Sequence, residues 1–131
     1  MTASAALEQG ATREYVRRGA DFTYEALSGD PELLAWFLET RGFPIGTDFE
    51  NRKMLLLWVR LDLHQANFDA HRDGHLSEEL WSEWLPTFRA DLATAEFPPL
   101  WKAGRELYTT DFAAVVDREL VRPAAADDSA R

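Results

Sequence analysis

The sequence predicts an all-α protein, a compact bundle of about five to six helices around one long central helix. Three observations predict it. Apolar residues recur at three- and four-residue steps along most of the chain, no stretch shows a convincing apolar–polar alternation, and glycine, proline and capping residues fall between the periodic runs. There is no internal repeat. With 131 residues the chain fits one domain, large enough to bury a core without disulfides or a structural metal. Residues 1–10 are expected to be a flexible N-terminus, 11–121 the helical domain, and 122–131 a disordered tail of small and charged residues.

The first helix is expected from Ala11 to Ser28, with Tyr15, Gly19, Phe22 and Ala26 on one stripe. The second begins at Asp30-Pro31, an N-cap followed by a proline whose missing N–H would be unpaired at that position anyway. Gly42 and Pro44 stop it.

The third, central helix starts at Thr47, which with Glu50 has capping-box spacing. From Met54 to Val59 six consecutive residues are apolar, so neighbours must cover this helix on several sides. A fourth helix follows Ser77 and carries Trp81, Trp84, Leu85 and Phe88; Pro86 within it predicts a kink or break near Leu85. The stretch "EFPPLWKAGRELY" gives a short helix that starts at its prolines. "TTDFAAVVDREL" gives the last one, capped by Thr109 or Thr110.

Charge and composition remove several function classes. A formal net charge of −9 argues against nucleic-acid binding and makes membrane-surface association an unfavoured expectation, despite Arg13, Arg17 and Arg18. No cysteine is present, so thiol chemistry and Cys-based zinc sites are absent, and the cytoplasm is the expected compartment. No window approaches an apolar membrane span, and the opening residues lack signal-peptide character. No nucleophile elbow, phosphate loop or dinucleotide fingerprint occurs, and no cofactor is implied.

"DAHRDGHLSEEL", Asp69 to Leu80, imitates a calcium loop. Acids stand at its first and fifth positions and a glycine at the sixth, yet the third is His71 and the twelfth is Leu80, where a cage needs oxygen ligands. A helix stop at Gly74 and a helix cap at Ser77 explain the stretch instead. No metal site is expected, and the residues that could still contribute to one are Asp69, His71, Asp73, His75 and Glu79. His64 and His71, seven apart on a helix, stand about 10.5 Å apart along its axis, too far to share an ion.

No catalytic residue is assigned. Arg60, Asp62, His64 and Gln65 form a candidate buried polar cluster midway along the central helix, their plain reading being ion pairing. Trp36, Trp58, Trp81, Trp84 and Trp101 read as core aromatics rather than a ligand pocket.

The early "DPEL" helix, the turn "RDGHLSEELW" from Arg72 to Trp81, Trp101 and the ending "TTDFAAVVDREL" together carry a resemblance. From about Tyr15 to Leu120 the chain resembles a widespread, functionally uncharacterised family of small bacterial helical proteins, many of which carry a membrane helix ahead of this domain. The resemblance implies an all-helical fold and no established activity, cofactor or site residue. The expected function is a non-catalytic helical interaction or regulatory module whose partner is an unidentified protein or a second copy. The alternative is a small-ligand or divalent-metal binder, or an enzyme of that kind, that uses the 69–79 turn and the central helix.

Overall fold

The computed structural model describes residues 3–122, and of the side chains before Arg17 only that of Glu14. It contains α1 (Ala3–Ser28), α2 (Pro31–Glu39), α3 (Asp48–Arg72), α4 (Glu78–Leu92), α5 (Phe97–Gly104), a 3₁₀ turn (Arg105–Leu107) and α6 (Thr110–Leu120). No strand occurs among the described residues. Helix α3 is the axis of the bundle and touches α1, α2, α4, α5 and α6.

The caps are where local chemistry places them. Asp30 Oδ1 accepts from the Leu33 N–H at 3.0 Å, and Pro31 opens α2. Thr47 and Glu50 close a reciprocal capping box at the start of α3, with distances of 3.1 and 2.9 Å. Ser77 Oγ accepts from the Leu80 N–H at 3.1 Å and starts α4. Gly74 sits at φ +81° directly after α3. There His75 N–H reaches Ala70 C=O and Gly74 N–H reaches His71 C=O, the paired bonds of a Schellman stop. The calcium-like stretch is thus an αα-hairpin turn.

The core is one contiguous apolar cluster. Leu34 and Leu38 of α2, Leu61 of α3, Phe88 of α4, Phe97 and Leu100 of α5, and Phe112 and Val116 of α6 are all buried. Trp81 and Trp101 are buried, and Trp58 and Trp84 pack against the cluster. Trp36 is largely exposed, contrary to the expectation that all five tryptophans serve the core.

Several other expectations need correction. Helix α1 begins at Ala3 rather than Ala11, since Ala3, Ala5, Ala6 and Leu7 are strong helix formers. Helix α4 runs unbroken through Pro86. Pro86 and Ser82, whose carbonyl loses its donor, are both exposed, so water can take that carbonyl's bond. The expected disordered tail lies outside the described residues from 123 onward.

The third correction concerns burial. The apolar run Met54–Val59 is not covered all round: Leu56 is 47% exposed. Of the α1 stripe, Gly19, Phe22 and Ala26 do not face the core either, and Phe22 is 73% exposed. From Arg17 to Ala26 every residue of α1 is exposed, and among its described side chains only Leu27 belongs to the core.

Candidate functional site

The most deeply placed polar group is His64, 1% exposed, on the core-facing side of α3 with Leu57 and Leu61. Helix α4 brings Trp84 and Asp91 against it. Trp84 Nε1–H donates to His64 Nδ1 at 3.0 Å, and His64 Nε2 lies 2.6 Å from Asp91 Oδ2. Arg60, one helical turn before His64, donates through Nε to the same Asp91 oxygen at 2.6 Å.

These contacts decide the state of the imidazole. An indole N–H can only donate, so Nδ1 must be the bare, accepting nitrogen. The proton therefore sits on Nε2 and is donated to Asp91, which makes His64 neutral. Burial pushes the imidazole below its ordinary range, Asp91 opposes that shift, and the Arg60 charge adds to it. With both nitrogens engaged, His64 offers no lone pair to a substrate or metal. The Arg60–Asp91–His64–Trp84 chain is a satisfied internal network that joins α3 to α4.

The proposed cluster of Arg60, Asp62, His64 and Gln65 divides between two faces of α3. Asp62 and Gln65 point to the start of α6 instead of to Asp91. Tyr108 O–H donates to Asp62 Oδ1 at 2.8 Å. Gln65 Oε1 accepts from the Thr109 N–H at 3.1 Å and lies 3.3 Å from the Thr109 hydroxyl. Gln65 thus supplies the α6 N-terminus with an acceptor, while the Thr109 side chain makes no cap bond of its own. Asp62 is exposed as a residue, yet partial burial pushes its carboxyl above the usual range against the lowering effect of the Tyr108 bond, and open solvent limits the shift. The same burial raises the Tyr108 phenol.

The five candidate metal ligands are paired or dispersed, although Asp69 Oδ1, a buried oxygen, has no hydrogen-bond partner and only the Arg72 charge near it. His71 Nε2 lies 2.6 Å from Glu78 Oε2, and its ring stacks on Trp81 with centroids 5.0 Å apart. Arg72 reaches Asp73 at 3.1 Å, Asp69 Oδ1 at 3.4 Å, and Asp111. His75 and Glu79 are exposed. Burial, with the neighbouring charges of Asp111 and Asp73, holds the Asp69 carboxyl above its usual range while Arg72 pulls it down. Among the described residues no group of three or more histidines and acids converges on one point.

A cleft of about 250 Å³ lies between the starts of α3 and α5 and is lined by Ile45, Asn51, Lys53, Met54, Glu96 and Pro99 among others. Most of its polar groups are already used. Lys53 pairs with Glu96 at 3.1 Å, and Asn51 Oδ1 accepts from the Gly46 N–H at 3.0 Å. The volume is below the roughly 300–1,000 Å³ usual for ligand pockets.

What the surface does hold is apolar. On α3, Phe49, Leu56 and Leu63 are 69%, 47% and 45% exposed. Their seven-residue spacing puts them on one line of the helix with only about 20° of drift per step. Half-buried Val59 and exposed Ala66 lie alongside. The stripe is about 21 Å long.

Trp84 and Asp91, the partners of His64, were not among the sequence candidates. Trp84, Phe88 and Asp91 stand at i, i+4 and i+7, so an acid in the core-facing line of α4 was the available signal. No family model, no curated protein and no solved structure matches the chain. No helix among the described residues is long and apolar enough to cross a membrane.

Proposed function

We propose that this protein is a non-catalytic helical interaction module, and that its docking face is the Phe49–Leu56–Leu63 stripe of α3. The observation that carries the reading is Leu56. It lies in an unbroken apolar run of the kind a helix carries when neighbours surround it, and the chain's own helices leave it open. Leaving three large apolar side chains in water along one line favours a partner that would cover them.

The shape of the face supports one kind of occupant. A straight stripe of side chains at seven-residue spacing suits an amphipathic helix of another protein laid along α3, with its apolar residues between those of the stripe. The internal polar network supports the same reading from the other side. Arg60 and His64 both bond to Asp91, and Trp84 bonds to His64, so the group best placed for acid–base work is engaged in holding helices together.

The test pairs affinity purification of the native chain with that of a Leu56→Glu/Leu63→Glu variant. A partner retained by the native chain and lost by the variant, with the unfolding midpoint unchanged, is the expected result. Equal retention by both chains would remove the stripe as the docking face.

A further inference from the structure

The cleft between the starts of α3 and α5 holds one polar group that the protein itself leaves unused. We infer that this cleft binds a small zwitterion, an α-amino acid with an apolar side chain, whose carboxylate takes the amide N–H donors of Asn51 and whose ammonium lies by Glu50 and Glu96.

Asn51 carries the inference. It is 4% exposed and lines the cleft. Its Oδ1 accepts from the Gly46 N–H at 3.0 Å, which fixes how the amide is turned, with the oxygen toward the loop and the nitrogen away from it. Nδ2 then presents two N–H donors, and neither has a hydrogen-bond partner among the described residues. Nor is Nδ2 shut off from solvent: among those residues the sealed side-chain atom without a partner is Asp69 Oδ1. The Asn51 donors therefore open into the cleft. A nearly buried amide left half unsatisfied is costly, and it calls for something that completes it.

The other lining residues say what kind of molecule does so. Glu50 Oε1 is taken by the Thr47 N–H at 2.9 Å, and Glu50 Oε2 makes no bond among the described residues. A Cβ at Gly46 would meet that Oε1 at 2.7 Å, so the glycine lets the loop lie directly against the Glu50 carboxylate and the Asn51 amide. Lys53 and Glu96, both partly exposed, pair at 3.1 Å. Two carboxylates against one ammonium leave the lining with one net negative charge. That charge disfavours a simple anion, and the Asn51 donors offer nothing to a simple cation. A zwitterion answers both.

Size and polarity narrow the class. Buried Met54, one turn after Glu50 on α3, and exposed Ile45 and Pro99 give the cleft an apolar wall. With a water taking about 30 Å³ of liquid volume, about 250 Å³ is room for a ligand of about eight to nine non-hydrogen atoms. Valine and leucine are of that size. None of Phe49, Leu56 and Leu63 lines the cleft, so the inference stands apart from the docking stripe.

Proton–nitrogen correlation spectra of the full, nitrogen-labelled chain at neutral pH, titrated with valine, leucine and methionine to tens of millimolar, test this. The assigned Asn51 side-chain N–H signals should move and saturate with at least one of them. Two truncated relatives of that amino acid, one without its ammonium and one without its carboxylate, should each bind about ten- to a hundredfold more weakly, as loss of a hydrogen bond to a charged group implies. Asn51→Asp keeps the acceptor for Gly46 and removes the donors, so binding, read on the Gly46 and Thr47 backbone signals, should be lost. Because a carboxylate at that buried position can destabilise the chain, Ala95→Trp is the second variant. Ala95 is exposed and lines the cleft, so the indole should block binding and leave the unfolding midpoint unchanged. The Leu56→Glu/Leu63→Glu variant should bind as the native chain does, which keeps this result distinct from the α3 reading. Asn51 signals unmoved by all three amino acids, truncated relatives that bind equally well, or binding retained in Ala95→Trp would overturn the inference.

Discussion

The Nε1–H of Trp84 donates to Nδ1 of His64 at 3.0 Å, and this one bond fixes an imidazole in the core as a neutral structural group. The sign of its pH dependence follows. The folded pKa of His64 lies below the unfolded value of about 6.5, so the unfolded chain takes up the proton first as pH falls. The stability His64 contributes is therefore complete above about pH 6.5 and is lost on acidification toward the folded pKa. Urea unfolding of the native chain and of His64→Gln between pH 7.5 and 5 checks this: the native chain should lose stability more steeply. Parallel slopes would show that His64 does not titrate on unfolding.

Asp91 takes both the Arg60 guanidinium and the His64 N–H on one oxygen. Asp91→Ala leaves a half-buried charge and a buried donor without their acceptor, and should cost about 1–3 kcal/mol. Chemical denaturation at pH 7.5 measures it. A loss below about 0.5 kcal/mol, the range of ordinary surface changes, would mean the network does not bind α3 to α4.

Gln65 and Gly74 act on the backbone. Gln65→Ala removes the acceptor at the α6 N-terminus and should cost about 1 kcal/mol, as loss of a helix cap does. Gly74→Ala forces a side chain into φ +81° and should cost about 1–2 kcal/mol. Thermal melts of the two variants, and additivity in the double variant, check that the two helix ends are independent.

Divalent metals should leave the unfolding midpoint where it is. A ligand at about a hundred times its dissociation constant adds about 2.7 kcal/mol. Arg72 already engages Asp69, Asp73 and Asp111, and Glu78 engages His71, so calcium, zinc, manganese and magnesium meet no assembled cage. A rise of several degrees with any of them, lost in Asp69→Asn/Asp73→Asn, would make the 69–79 turn a site.

Most of the fold was legible because its signals are local. Asp30, Thr47, Glu50, Gly74 and Ser77 act within a few residues of themselves, so spacing alone carries their roles. His64 with Asp91, and Gln65 with Thr109, are separated by 27 and 44 residues, and only the way α4 and α6 pack against α3 brings them together. Periodicity also told which residues are apolar stripes without telling which stripe the chain itself covers. Leu61 and Phe22 look alike in sequence; Leu61 is buried and Phe22 is open.

That difference leads to the most direct measurement, the fluorescence of an apolar surface-binding dye with the folded native chain and with Leu56→Glu/Leu63→Glu, beside the melting curve of each. An open α3 stripe predicts strong dye fluorescence from the native chain, a large part of it lost in the variant, and midpoints within about 0.5 kcal/mol of stability of each other. Unchanged dye fluorescence, or a variant destabilised by several kcal/mol, would contradict it, because the stripe would then be covered by the chain itself.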